Sequence, residues 1–369
     1  MHSKCCHMKN TVLFSFVIAL VVLFGGCNKD PQPDQPDNPN EEILPNKMFE
    51  VDGEKFVLLE CTSGQRWFLQ LLPSNNALLA NKYSPGYEYV NNGAQFQYRN
   101  EYKGDLVVPD TFVLDGTTYT ITQIARCVFD GCDGLNSIVI PNTVKHIGDQ
   151  AFLTCFNLNH VQLPSALDSI QNSTFYQCER LRSIHFPESL KYVGGCAFAM
   201  SGIEELSFTN NIKLDEGVFM ECHHLETVSL PDGMDAISRD LFASCDMLSS
   251  VSIPQSVKVI ADGAFYGTNL SSVALPNSLQ YLGGFAYCSR LTEVVIPESV
   301  DEIADMAFFG CSNLETITCL APIPPVLHHN AGTFEGAALT AIYVPAESLE
   351  SYRSADGWCD YADIIQPLS

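Results

Sequence analysis

The sequence is poor in basic residues, in tryptophan and in the motifs that mark catalytic sites. Its 369 residues include 19 lysines and arginines against 43 aspartates and glutamates, for a formal charge of −24, and only two tryptophans. A surface this acidic repels a phosphate backbone, so we expect no nucleic-acid partner. The sequence contains no G-x-S-x-G, H-E-x-x-H or phosphate-binding glycine motif. It therefore offers no positive evidence for an enzyme or for a cofactor.

The sequence also lacks an apolar run long enough to span a membrane. The run Thr11–Phe24 has about 14 residues, fewer than the roughly 20 that a spanning helix needs. It follows the basic start Met8-Lys9 and precedes Gly25-Gly26-Cys27, so we interpret residues 1–26 as a signal peptide. The stretch Leu23–Cys27 resembles a bacterial lipobox, which implies lipidation at Cys27, with simple secretion as the alternative. Residues 27–46 are rich in proline and acid and are predicted to be a disordered linker.

What the sequence does contain is a repeat of about 22 residues. Ile138–Leu158 (IVIPNTVKHIGDQAFLTCFNL) recurs with substitutions roughly ten times. Each copy has the form L-x-x-I-x-I-P, then V-x-x-I, then A-F-x-x-C. The period lies in the leucine-rich-repeat range. It predicts one solenoid rather than two or three separate domains.

The motif also predicts the architecture of each coil. L-x-x-I-x-I is a short strand with inward apolar residues, ended by proline, and successive strands stack in parallel into one long sheet. V-x-x-I forms the opposite wall, and the phenylalanine of A-F fills the interior on a short helical turn. The expected fold is a β-rich leucine-rich-repeat solenoid with short helical turns and a parallel sheet along one face.

Two segments flank the predicted repeats, which span residues 106–320. Residues 47–105 are expected to be an N-terminal β cap, because Met48–Glu60 alternates apolar and polar residues around the hairpin signal Asp52-Gly53. RWFLQLL at 66–72 and GAQFQYRNEY at 93–102 are expected to be further strands, and Asp115-Gly116 to be a second hairpin. A separate binding module is the alternative for this segment. Residues 321–369 are expected to be an irregular C-terminal cap, with a helix over 346–354 and Trp358 sealing the last coil.

The combination of L-x-x-I-x-I-P, V-x-x-I-G at Val144–Gly148 and A-F-x-x-C at Ala151–Cys155 resembles the BspA-type leucine-rich repeats of bacterial cell-surface proteins. The last 24 or so residues before Leu368 also resemble the tails of such proteins from Bacteroides-like bacteria. The resemblance implies a surface-exposed lipoprotein, some of whose relatives are implicated in adhesion. It brings no catalytic residue.

Cysteine follows the phenylalanine by three residues in most copies and forms a predicted column. In a secreted protein, cysteines about 5 Å apart invite a disulfide interpretation. A parallel stack, however, points all the thiols the same way, and Ser201, Thr268 and Ala337 replace cysteine in other copies. We therefore expect buried, reduced, structural thiols, with disulfides and metal binding as alternatives. The column comprises Cys132, Cys155, Cys178, Cys222, Cys245, Cys288 and Cys311.

The outward residues of the predicted strands form the candidate binding face. Most are small and polar, without the tryptophan, tyrosine and arginine that usually anchor partners. A merely solvated sheet is the alternative interpretation. The candidates are Ser137, His160, Gln162, Ser183, His185, Glu205, Ser207, Thr227, Ser229, Ser250, Ser252, Glu293 and Thr316. The histidine pairs His223-His224 and His328-His329 are interpreted as loop residues, so we predict no metal site.

The sequence leaves three candidate functions. The first is a non-enzymatic outer-membrane lipoprotein, exposed on the surface, which binds an extracellular protein or glycan and contacts the membrane only through its lipid. The second is a structural spacer or assembly component without a soluble ligand. The third is a secreted hydrolase. We expect a monomer.

Overall fold

The structure is a computed structural model that describes residues 47–60, 66–80, 102–208, 210–328 and 332–368. These residues form a β-solenoid of about ten turns, as the period predicts. Most turns contribute one strand to a first face, a shorter strand to a second face and a tight turn that carries the phenylalanine. The signal peptide and the linker predicted over residues 1–46, including Cys27, lie outside the described residues.

The N-terminal part is an antiparallel sheet that joins the solenoid. Its strands β1 to β4 follow one another in sequence, and the loop between β1 and β2 has Asp52 and Gly53 at φ 52° and 82°, as a type I′ hairpin turn requires. Strand β4 pairs in parallel with β7, which in turn pairs with β9 of the second face. The strands are β1 (Lys47–Val51), β2 (Glu54–Glu60), β3 (Arg66–Leu72), β4 (Asn76–Leu79), β5 (Gly104–Val107), β6 (Thr111–Leu114) and β7 (Thr117–Ile124).

The hairpin signals of the sequence are confirmed at both positions. Asp52-Gly53 connects β1 and β2, and Asp115-Gly116 connects β6 and β7. Strand β3 lies where RWFLQLL predicts it, whereas β4 was not predicted. The further strand expected within 93–102 falls almost wholly outside the described residues.

The first face, called here the strand face, consists of parallel strands that each precede a proline position. Its members are β5, already given, and β8 (Leu135–Val139), β10 (His160–Gln162), β13 (Glu205–Leu206), β15 (Thr227–Ser229), β17 (Ser250–Ser252), β20 (Glu293–Ile296), β22 (Thr316–Cys319), β24 (Ala341–Val344) and β25 (Ile365–Pro367). The ladder continues into β24 and β25 by parallel pairing, so the stacking extends through the degenerate C-terminal sequence.

The expectation of one long sheet on this face is wrong. The strands form three separate sheets, because residues 182–186 and 272–275 do not pair as strands. The second break follows a coil with one residue fewer between its phenylalanine and the next inward apolar residue, because Phe265–Leu270 spans five positions whereas Phe152–Leu158 spans six. A missing residue moves the chain along the strand direction and disturbs the register. The first break lies between two coils of the ordinary spacing, Phe152–Leu158 and Phe175–Leu181.

The second face is built from the V-x-x-I segments, which form strands of only two residues. Ile147 and its counterparts point inward. The strands within residues 169–214 form one parallel sheet and those within 236–327 form another, while the strand at His146–Ile147 pairs with β7. The strands are β9 (His146–Ile147), β11 (Ser169–Ile170), β12 (Tyr192–Val193), β14 (Lys213–Leu214), β16 (Ala236–Ile237), β18 (Val259–Ile260), β19 (Tyr281–Leu282), β21 (Glu302–Ile303) and β23 (Val326–Leu327).

The phenylalanines fill the interior as predicted, and they also stack on one another. Ring centroids of neighbouring coils lie 4.8 to 5.9 Å apart, with interplanar angles of 7 to 18°. Every one of these side chains is at most 2% exposed. Such aromatic pairs add roughly 0.5–1.5 kcal/mol each beyond the area they bury. The stack comprises Phe129, Phe152, Phe175, Phe198, Phe219, Phe242, Phe265, Phe285, Phe308 and Phe334.

The C-terminal segment closes the interior with two buried aromatic side chains. A 3-10 helix, Ala346–Ser348, leads into helix α1 (Leu349–Ser354), and a second 3-10 helix spans Trp358–Ile364. The Trp358 indole packs on Phe334 at 6.1 Å and its Nε1 donates to the Pro325 carbonyl at 2.8 Å. The predicted helix and the sealing role of Trp358 are therefore confirmed. Among the described residues, no helix is both long and apolar enough to cross a membrane.

Candidate functional site

The strand face presents two outward columns of side chains, because side chains alternate along each strand and the parallel pairing keeps equivalent residues side by side. His160 lies beside Ser137, and Thr227 lies between Glu205 and Ser250. Eleven of the candidate residues are exposed: His160, Gln162, Ser183, His185, Glu205, Ser207, Thr227, Ser229, Ser250, Ser252 and Glu293. Ser137 and Thr316 are half-buried, and the Ser137 hydroxyl donates to Asp105 at 2.7 Å.

A shallow depression of about 490 Å³ lies on this face beside the first break in the sheet. His160, Gln162 and His185, all candidates from the sequence, line it. We call it the break depression. It is also lined by Leu163, Ser165, Pro187 and Glu188, which the sequence analysis did not single out. Glu188 follows Pro187 at the rim of the face, and its sequence context does not distinguish it from Glu298 in the equivalent Pro297-Glu298.

A second depression, of about 260 Å³, lies two coils further along and is strongly acidic. Glu204, Glu205, Glu226, His224, Thr227 and Met247 line it. Arg182 pairs with Glu204 at 3.0 Å, so one of these carboxylates already has a cationic neighbour. Among the described residues, no three histidine, cysteine or acidic side chains are placed to hold a metal ion.

The cysteine column is buried, and its thiols take part in hydrogen bonds. The Cys155 Sγ donates to the Phe129 carbonyl of the preceding coil at 3.0 Å, and Cys245 donates to Phe219 at 3.1 Å. The same bond recurs at Cys178, Cys222, Cys288 and Cys311. At these positions the thiol therefore combines small size with a hydrogen bond to the preceding coil, whereas Ala337 shows that the position also accepts a side chain without a donor.

Burial holds most of these thiols in their neutral form. It raises the pKa of Cys288 to about 11 and that of Cys311 to about 12, and it raises the pKa of Cys155 well above its usual value. Cys222 differs, because burial is outweighed there by hydrogen bonds with Cys245 and Ser201, which lower its pKa. A thiol must lose its proton to act as a nucleophile or as a metal ligand. The column is therefore built for packing and hydrogen bonding, not for thiolate chemistry.

The remaining sequence candidates form contacts between coils. His223 Nδ1 lies 3.0 Å from Asp246, and His328 pairs with Glu302, while His329 is outside the described residues. The aromatic residues that directly follow a stacked phenylalanine, Tyr176, Tyr266 and Phe309, are half-buried. Tyr266 and Phe309 both pack on Tyr287, at 5.3 and 5.5 Å between ring centroids. These rings stabilise the stacking of coils.

The stacked parallel rungs and the buried phenylalanine column define a leucine-rich-repeat solenoid. The family described as BspA type Leucine rich repeat region matches residues 116–226 and 212–325, in six copies. Because the match spans more than half of the chain, the protein belongs to this family. No curated protein matches the chain.

Several solved structures are similar to this chain at low sequence identity. A leucine-rich repeat protein from Bacteroides ovatus is 20% identical, with a TM-score of 0.46, and covers 87% of this chain and 100% of its own. The Treponema pallidum leucine-rich repeat protein is 23% identical, with a TM-score of 0.46, and covers 63% of this chain and 90% of its own. A leucine rich cell surface protein from Faecalibacterium prausnitzii is 16% identical, with a TM-score of 0.36, over 85% and 97% of the two chains.

Proposed function

We propose that this protein is an exported, non-enzymatic lipoprotein anchored through Cys27, which displays its solenoid at the cell surface to an extracellular protein or glycan. The observation that supports the proposal is the difference between the outward and the inward side chains of each coil. The strand face turns one or two exposed polar side chains outward from rung after rung, while the apolar residues between them are buried. An extended surface of varied side chains on a constant scaffold suits recognition by solenoids.

The anchor is supported by the sequence Leu23–Cys27 and by the acidic, proline-rich segment that follows it. The measurement is mass spectrometry of the mature N-terminus, with and without globomycin, which blocks the lipoprotein signal peptidase. We expect a diacylated or triacylated Cys27 that disappears on treatment. An unmodified N-terminus at another residue would show that the protein is secreted without a lipid anchor.

The binding face is tested by alanine changes on exposed side chains. We expect His160→Ala, Gln162→Ala and His185→Ala together to reduce capture of the native partner from the environment of the cell, and to leave the urea unfolding midpoint unchanged. Ser250→Ala with Ser252→Ala is the control on an intact part of the same face. Equal capture by both variants would show that the face around His160 does not belong to the binding site.

A structural spacer is the second candidate, and the composition of the strand face favours it. Its thirteen candidate residues include neither tryptophan, tyrosine nor arginine, the usual anchors of protein interfaces. A spacer would show no saturable ligand in any screen. A hydrolase would turn over members of a peptide or glycan panel, and such turnover would overturn the non-enzymatic part of the proposal.

A further inference from the structure

The break depression lies where the backbone ladder of the strand face is open. Strand β10 is bonded to β8 on one side, through His160, Val161 and Gln162. On its other side, no backbone hydrogen bond among the described residues joins it to segment 182–186. That segment continues on its far side with a bond from the Glu204 N–H to the Arg182 carbonyl at 2.9 Å. Backbone groups without a ladder partner must bond to water or to a ligand.

The side chains around this gap can both donate and accept hydrogen bonds. The Gln162 amide and the Ser165 hydroxyl do both, and the imidazoles of His160 and His185 each offer one donor and one acceptor when neutral. The Glu188 carboxylate only accepts, so it suits a ligand group that donates. Leu163 and Pro187 add apolar surface among them. A ligand that carries several hydroxyl groups next to an apolar surface matches this arrangement.

The charge of the depression excludes acidic ligands. Neither lysine nor arginine lines it, and Arg182, which belongs to the same segment, is paired with Glu204 at 3.0 Å. Phosphate, sulfate and carboxylate groups are usually bound by cationic side chains or by ordered backbone N–H groups. A cationic peptide would find more carboxylates at the second depression, where three glutamates converge. An uncharged ligand rich in hydroxyl groups remains.

We infer that the break depression binds a neutral glycan, with Glu188 and Gln162 bonding to its hydroxyl groups and with Leu163 and Pro187 against the apolar face of a sugar ring. The inference rests on the proposed function and names the ligand class for the same face. A peptide strand is less suited to the gap, because segment 182–186 already occupies the position next to β10 in the order of coils.

The test uses the whole mature chain and measures binding by isothermal titration. The probes are maltohexaose, mannohexaose and a galactose hexamer, with hyaluronan hexamer as the acidic arm and an oligolysine peptide as the cationic arm. We expect saturable binding of at least one neutral oligosaccharide. Glu188→Gln and Gln162→Ala should each weaken it about tenfold, as expected for losing a hydrogen bond to a charged or well-placed polar group.

The chain supplies a matched control in Glu298. Pro297-Glu298-Ser299 repeats Pro187-Glu188-Ser189, both glutamates are exposed, and the following serines each donate to a carbonyl of the preceding coil at 2.7 Å. The difference is that Glu298 does not line the break depression and follows a true strand, β20, which pairs with β22 although it borders the second break. Glu298→Gln should therefore leave the affinity for the neutral oligosaccharide unchanged, and both variants should unfold at the urea concentration of the wild type.

The inference is overturned if no neutral oligosaccharide binds, if hyaluronan or oligolysine binds more tightly, or if Glu188→Gln and Glu298→Gln have equal effects. Its failure is distinguishable from failure of the proposed function. If the chain binds none of these sugars but still captures a partner through His160 and His185, the proposed function stands and the glycan inference fails. If the chain captures no partner and binds no sugar, both fail.

Discussion

The interior and the strand face of this solenoid differ in how much interruption they tolerate. In the interior, ten phenylalanine rings stack without a gap from Phe129 to Phe334, at 4.8 to 5.9 Å. On the strand face, the backbone ladder is broken twice, at residues 182–186 and 272–275. The coils at these breaks nevertheless keep their phenylalanines in the stack.

This difference shows which interactions set the spacing of the coils. The coil that contains Phe265 is one residue short, yet it keeps its ring between those of Phe242 and Phe285. The cost appears in the outer ladder, where residues 272–275 are unpaired and backbone groups can bond to water instead. The buried rings have no such substitute. The interior columns therefore maintain the fold, and the exterior is free to vary.

The strongest test of this comparison is to remove one ring from the middle of the stack. Phe198→Ala deletes a fully buried side chain that contacts Phe175, Phe186 and Phe219. We expect a loss of about 3–5 kcal/mol in the free energy of unfolding, from lost burial and the cavity left behind. Urea denaturation followed by circular dichroism measures it.

Phe156→Ala is the control for that change, because Phe156 is 36% exposed and lies outside the stack. It should cost less than about 1 kcal/mol, since partly exposed side chains lose little burial when truncated. Similar losses at the two positions would contradict the view that the stack maintains the fold. A second unfolding transition in Phe198→Ala would sharpen it, because solenoids lose cooperativity when one interface between repeats is weakened.

The sequence predicts the interior better than the exterior, and the reason is physical. The apolar spacing tells which side chains point inward, so the buried phenylalanines, the buried cysteines and the inward positions such as Ile138 and Val144 follow from the repeat. The breaks do not follow, because a backbone register depends on small shifts between coils that a hydrophobic pattern does not encode. Glu188 was missed for the same reason: it becomes part of a depression only where the ladder opens.

The cysteine column tests whether the interior depends on hydrogen bonds as well as on packing. Cys155→Ala removes the thiol that donates to the Phe129 carbonyl, whereas Cys155→Ser keeps a group able to donate, and serine occupies this position naturally at Ser201. We expect the alanine variant to lose about 1–2 kcal/mol in free energy of unfolding and the serine variant to lose less. A serine variant that is the less stable of the two would show that the site requires an apolar group rather than a donor.

The same column predicts a thiol count. Titration of the denatured wild type without reductant should find most of the column cysteines free. Native protein at pH 8 should react slowly with an alkylating reagent, because burial raises the pKa of Cys288 and Cys311 and hides their thiols. Fewer than about half of the thiols free after denaturation would support the disulfide alternative, since Cα distances in a parallel stack permit such bonds.

The smallest expected effect concerns a contact on the exterior, on the second face. The Tyr192 hydroxyl donates to the Asp215 carboxylate at 2.7 Å, and burial followed by this bond and the Asp215 charge raises the pKa of Tyr192 to about 12. An unfolded tyrosine titrates near pH 10, so the unfolded chain loses its proton first. The contribution of Tyr192 to stability is thus complete below about pH 10 and is lost as the pH rises toward 12.

Tyr192→Phe should cost about 1 kcal/mol or less at pH 8, and its urea midpoint should approach that of the wild type at higher pH. The buried cysteines titrate in both proteins, so the difference between them isolates Tyr192. If the urea midpoints of the wild type and Tyr192→Phe fall in parallel across this pH range, the Asp215 contact contributes nothing to stability. The stacked interior would then account for still more of the stability than the solvated exterior does.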